Sequence, residues 1–393
     1  MKNILVYLLF ILIFNFTFYS CEEDSMIDNS LPLRERIDRL VEPAAIFGNP
    51  GAIIIGVIQD GEKSIYSYGD AGLGFGPPRS NTIFEIGSNT KTFVATLLSD
   101  FIDDGLLSLD DSINQFFPDY VNPPTFNGLQ ITLRHLVTHS SGLPREAYNF
   151  NMDINTFYSK FTNEDFYTFL NDISIQAYPF DDYTSGNELK YLGTKFRYSN
   201  IGVGILGHIL ERVSEKKLEE LIEERICSKL NMPDTKTITR MSGEQVNRIP
   251  KAYNINQYEQ ALPRDWGRLL GPGSLYSTMD DMLNYMAANM SDTSALSSPM
   301  QRCHEIIYTW EEICNEDGDF DETFPYKEAD GIGMVWYVTH DNGDIIVEHG
   351  GDYNHHCLFK FNNTRKVGIV MFTNTPSISV ANMADTILTW ISE

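Results

Sequence analysis

The stretch Thr82-Ile-Phe-Glu-Ile-Gly-Ser-Asn-Thr-Lys91 decides how this chain is read. An extended run rich in β-branched and aromatic residues reaches Gly87, and the helical spacing over residues 92–103 places Ser88 at a helix start. There the aligned peptide dipoles favour developing negative charge. Lys91 follows three residues later, on the same face, at about 5–6 Å between Cβ atoms. An amine held there can accept the Ser88 proton once burial lowers its pKa. Ser-x-x-Lys alone says little, because the chain repeats it at Ser214-Glu-Lys-Lys217 in a polar helix connection.

Two further motifs raise the first match above the second. Tyr198-Ser-Asn200 starts another helical run, and His349-Gly350-Gly351 closes an extended one. A tyrosine beside a lysinium serves as general base when its phenol is pulled down, and an asparagine amide orients a substrate carbonyl or amide. The two glycines let a strand edge approach the substrate, where a backbone N–H can join that of Ser88 in holding an oxyanion. His349 is expected to face the substrate. Asp352, directly after the glycines, brings a carboxylate beside that donor. Tyr120-Val-Asn122 matches the second motif only in form, since prolines surround it.

Working outward, residues 33–41 have helical spacing, and residues 51–58 with 63–68 read as a buried hairpin turning at Asp60-Gly61. Helical periods dominate the middle, at 201–213, 218–230 and 279–290. Strand character returns at 334–339, 344–348, 357–362 and 367–373, and a helix follows over 379–390. Strands at both ends around a helical middle predict a mixed α/β (α+β) fold: an antiparallel sheet flanked by helices, with an inserted mostly helical subdomain at about residues 92–300. A net charge of −25 argues against a nucleic-acid partner, and 42% hydrophobic residues are enough for a large core.

The three motifs together resemble the serine β-lactamase and penicillin-binding-protein superfamily, in the branch of class C β-lactamases, D-alanyl-D-alanine carboxypeptidases and related esterases. Further runs carry the resemblance across most of residues 35–390: Leu107-Ser-Leu-Asp-Asp111, Thr132-Leu-Arg-His-Leu-Val-Thr-His-Ser-Ser-Gly-Leu-Pro144, Gly271-Pro-Gly-Ser-Leu-Tyr-Ser-Thr278 and Gly331-Ile-Gly-Met-Val-Trp336. The resemblance implies Ser88 as the acylated nucleophile, Lys91 and Tyr198 as its activating pair, Asn200 as substrate orienter, and His349, Gly350, Gly351 and Asp352 along the substrate. It implies an acyl-enzyme hydrolase of amides or esters that needs no metal or cofactor. A catalytically silent binding module for peptidoglycan or another partner, and a class C-type lactamase, are the alternatives. Two departures bear on activity. Lactamases usually carry lysine where His349 stands, and relatives usually carry glycine near His355, so a bulky ring there is expected to narrow the acyl site.

The N-terminus reads as an address. Residues 1–20 form a signal-peptide pattern, and Phe18-Tyr-Ser-Cys21 resembles a lipoprotein signal with Cys21 as the lipidated residue, followed by a tether to residue 32 and the hydrolase domain over 33–393. The expected place is therefore the bacterial cell envelope, membrane-held through lipid, or secreted without it. Cys227, Cys303, Cys314 and Cys357 are equally compatible with disulfides and with free thiols. His135 and His139 have i, i+4 metal spacing, and Asp317, Asp319, Asp321 and Glu328 imitate a calcium loop that lacks its glycine; structural and solvated readings are preferred for both. The aromatic-rich residues 148–191 are expected to build the core of a small helical subdomain or to line a cleft.

Overall fold

The computed structural model describes residues 29–47, 51–72, 76–126, 128–146, 158–172, 192–254, 259, 265–314, 326–376 and 380–393. The leader, Cys21, most of the tether, Asp317, Asp319, Asp321 and much of the aromatic-rich stretch lie outside them.

One antiparallel sheet of eight strands organises the molecule. Its order runs Glu62–Gly69, Ala52–Gln59, Val367–Thr373, His356–Asn362, Asp344–Asp352, Tyr337–Asp341, Gly331–Ile332 and Tyr308–Thr309. An early and a late strand of the chain therefore lie side by side, second and third from one edge of the sheet, where Ile53 pairs with Thr373 and Ile55 with Met371. Ala52–Gln59 is apolar on both pleat faces because both are covered. One face, with Ile54, Phe359 and Phe372, packs against the helices Thr90–Asp103 and Met279–Asn289 in a large core. The other, with Ile53, Ile55 and Met371, is covered by the N-terminal helix Leu33–Phe47 and the C-terminal helix Val380–Ser392. The expected mixed architecture is thus observed.

Local departures have physical causes. The predicted strand at 334–339 begins only at Tyr337, because Val335 takes a left-handed φ of 60° and the Gly333 N–H closes a turn onto the Trp336 carbonyl at 2.9 Å. The helix expected over 218–230 contains a π turn at Glu223–Cys227. The N-terminal helix runs six residues beyond its expected end, through Pro43. Tyr158, Phe161, Phe166 and Phe169 are buried in the main core. All four described cysteines are free thiols.

Candidate active site

A single 3₁₀ turn, Gly87–Asn89, presents the serine. It joins the short strand Phe84–Glu85 to the helix Thr90–Asp103, and it lies against the last residues of Asp344–Asp352. Gly87 has a φ of 50°, and a Cβ on it would stand 3.2 Å from the Asp352 nitrogen, so a side chain is disfavoured by both conformation and space. The ladder between Asp344–Asp352 and Tyr337–Asp341 ends at the pair Glu348 and Tyr337. Beyond it His349, Gly350, Gly351 and Asp352 present an edge that Tyr337–Asp341 does not cover. The Ser88 and Asp352 backbone nitrogens meet at this junction.

Ser88 Oγ sits between two side chains. Lys91 Nζ lies 2.9 Å away and Tyr198 OH donates to it at 2.7 Å. Lys91 also donates to the Pro272 carbonyl at 2.6 Å. Burial pushes the Lys91 amine well below its ordinary pKa, aided by the Arg145 charge and opposed by Glu146, so the amine is driven towards its neutral, proton-accepting form. Burial pushes the Tyr198 phenol up to about 12, outweighing the Ser88 hydrogen bond and Arg145. Burial therefore moves the two groups in opposite senses, and it favours Lys91 over the expected tyrosine as proton acceptor.

Tyr198 is fixed from behind. His139, with a left-handed φ of 54°, accepts the Ser199 N–H on Nδ1 at 3.1 Å, and its ring centroid lies 4.5 Å from that of Tyr198. Ser199 caps the helix Asn200–Ser214 by accepting the Gly202 N–H at 2.9 Å, and it donates to the Pro144 carbonyl at 2.7 Å. Asn200 Nδ2 donates to Glu146, whose other carboxylate oxygen accepts from Tyr158 OH at 2.7 Å. Asn200 Oδ1 is buried without a partner among the described residues, so the amide turns its acceptor, rather than its donor, away from Glu146.

His349 is buried, and among the described residues neither ring nitrogen has a partner in hydrogen-bonding geometry. Its ring stacks on Tyr337 at 5.7 Å between centroids. Burial, reinforced by Lys91, pushes its pKa down to about 3. Gly351 shares its pleat face, whereas Glu348 lies on the opposite face with Lys360 at 3.3 Å.

The ring of His355 does not narrow the acyl site. It is buried beneath the nucleophile turn, where Nδ1 accepts the Glu85 N–H at 3.0 Å and Nε2–H donates to the Pro250 carbonyl at 3.2 Å. Asp352 turns its exposed carboxylate to His356 Nδ1 at 2.6 Å. Ser214 is at a helix end, donating to the Leu210 carbonyl at 2.7 Å, with no part in this cluster. His135 and His139 serve different local bonds, since His135 Nδ1 accepts the Thr132 N–H at 3.0 Å. Sequence reasoning did not reach Arg145, Glu146 or the Pro272 carbonyl. The only signal for the first two was their place directly after the turn ending at Pro144.

A covered antiparallel sheet carrying a serine between a desolvated lysine and a tyrosine defines a class of serine hydrolase. The family model described as Beta-lactamase matches residues 37–389. The chain belongs to that family and is a serine hydrolase. It is 29% identical over 345 residues to the D-alanyl-D-alanine-carboxypeptidase/endopeptidase AmpH of Escherichia coli, covering 86% of this chain and 83% of that one. A Beta-lactamase of Psychrobacter immobilis is 29% identical over 261 residues, 66% of this chain and 58% of the other. Among solved structures, a beta-lactamase/D-alanine carboxypeptidase from Yersinia pestis superposes with a TM-score of 0.76 at 21% identity, covering 92% and 98% of the two chains. The D-alanine carboxypeptidase AmpC of Burkholderia cenocepacia gives 0.70 at 20% identity, covering 91% and 98%.

Proposed function

We propose that Ser88 is acylated by D-alanyl peptides or related esters and amides, with Lys91 as its base. The observation that carries this reading is the 2.9 Å approach of a buried amine to Ser88 Oγ, with Tyr198 OH at 2.7 Å. The Ser88 oxygen attacks the substrate carbonyl carbon and its proton passes to Lys91. The oxyanion is held by the Ser88 and Asp352 N–H groups. As the tetrahedral adduct collapses, its bond to the leaving group breaks, the leaving group takes the proton of Tyr198, and the proton held by Lys91, whose Nζ stands over the Tyr198 ring, restores the phenol. Water then releases the acid, and Lys91 ends neutral. Gly351 lets the strand cross the nucleophile turn at close range, Gly350 leaves room for the Tyr326 hydroxyl, and Asn200 offers Oδ1 to a substrate N–H. A neutral, buried His349 supports peptidase or esterase activity over avid β-lactam hydrolysis.

The leader pattern and Cys21 support a lipid-anchored enzyme of the bacterial cell envelope. Among the described residues no helix is long and apolar enough to cross a membrane.

Intact mass after treatment with a fluorophosphonate or penicillin tests the reading. One adduct on the wild type and the Ser214→Ala variant, absent from Ser88→Ala, is expected; labelling of Ser88→Ala to the wild-type extent would overturn it.

A further inference from the structure

We propose that Arg145 receives a substrate carboxylate and so sets specificity at this site; the inference rests on the hydrolase reading above and names the chemistry of its substrate. A fixed positive charge beside the nucleophile is the natural partner for a carboxylate near the scissile bond. Neither Lys91 nor His349 provides it. Lys91 is driven towards neutrality, and His349 is buried against Tyr337 with its ring held neutral.

Arg145 supplies what they lack. Its backbone is anchored to the helix that carries Asn200, because its carbonyl accepts the Asn200 N–H at 2.8 Å and the Ile201 N–H at 3.2 Å. Its side chain is exposed, and the guanidinium carbon lies 4.9 Å from the centroid of the Tyr198 ring, whose hydroxyl touches Ser88. Cation–π contact of this kind fixes the plane of the guanidinium while leaving its N–H fork free. Among the described residues that fork has neither ion pair nor hydrogen bond. By contrast Arg225, Arg240, Arg248, Arg268 and Arg302 are each held by a carboxylate. The adjacent Glu146 does not claim Arg145, since its oxygens accept from Asn200 and Tyr158. In a chain of net charge −25, an unclaimed guanidinium beside the nucleophile is a vacant bidentate seat for an anion.

Arg145 also lowers the pKa of both Lys91 and Tyr198, so its loss affects every substrate to some degree. A ratio of substrates removes that common effect. The test compares a D-alanyl depsipeptide ending in a free carboxylate with its methyl ester. Arg145→Gln should lower the carboxylate-to-ester ratio of kcat/KM by about 10 to 100-fold, chiefly through KM, and Arg145→Lys should restore part of it. A ratio within about threefold of wild type for Arg145→Gln would overturn the proposal. A second arm needs no turnover: in a Ser88→Ala background, the affinity of a D-alanyl-D-alanine peptide acid over its C-terminal amide should vanish with Arg145→Gln. Persistence of that preference would equally overturn it. Fluorophosphonate labelling of the wild type is run alongside; failure to label Ser88 removes the hydrolase reading and leaves the affinity arm to decide on Arg145.

Discussion

Gly351 crosses the nucleophile turn so closely that a Cβ on it would overlap the Ile86 carbonyl oxygen and stand 3.0 Å from the Ser88 nitrogen. The obstacle is backbone, which cannot swing aside as a flexible side chain would. Gly351→Ala should therefore push the strand edge off the turn and separate the Ser88 and Asp352 nitrogens. Acylation by a neutral ester should fall by a factor on the order of 10² to 10³, the cost of losing one oxyanion donor. Burst kinetics would measure it, and an undiminished rate would show that the two N–H groups do not act together.

Lys91 couples activity to stability. The unfolded chain holds its amine protonated below about 10.5, whereas the buried amine has a depressed pKa. Folding therefore releases a proton between the two values, and wild-type stability declines as pH falls below 10.5 towards the folded pKa. A Lys91→Met variant lacks this loss. Its melting temperature relative to wild type should rise as pH is lowered from 10 to 7, while its acylation rate drops by several orders of magnitude. A difference independent of pH would mean that the folded amine stays charged.

His349 should be silent in the neutral range. With its pKa pushed down to about 3, the wild-type preference for carboxylate over ester substrates should stay flat from pH 5.5 to 8. Acid does not mimic a third-motif lysine here. Kinetics on the same substrate pair checks this, and a preference that climbs below pH 6.5 would show His349 titrating in contact with substrate.

His355 ties the strand before the serine to the segment at Pro250. His355→Leu would leave the Glu85 N–H and Pro250 carbonyl unpaired, at a cost of about 2–4 kcal/mol in urea unfolding at pH 7. Burial pushes the ring's pKa down to about 3, below the roughly 6.5 of an unfolded histidine. The unfolded state binds the extra proton between these values, so the wild type loses stability as pH falls from 6.5 towards 3. The gap between variant and wild type should narrow over that range. A gap that widened would assign the ring a charged partner.

What could be read from the sequence was what has a short period or a fixed offset. Ser88 and Lys91 stand at i and i+3, and Ala52–Gln59 and Val367–Thr373 announce themselves by apolar runs. Tyr198 was visible only through its tripeptide, since its approach to Ser88 spans 110 positions. Arg145 and Glu146 carry no periodicity, and their place follows from a turn whose direction depends on Ser199 reaching Pro144. Burial was the other hidden quantity. Nothing in His-Gly-Gly says that Tyr337 will cover the imidazole, and nothing in Ser-x-x-Lys gives the sign of the Tyr198 shift. His355 was misjudged for the same reason, because the pleat that turns it under the nucleophile strand appears only with the register of Asp352 and His356.

The helix Leu33–Phe47 lies on the sheet face away from Ser88, beside the C-terminal helix. The helix that opens the described domain and the helix that follows Ser88 and carries Lys91 thus lie on opposite faces of the sheet. The twelve residues from Cys21 to Pro32 span at most about 40 Å when stretched. With the lipid proposed at Cys21, a tether of that length would hold the back of the sheet within a few nanometres of the bilayer.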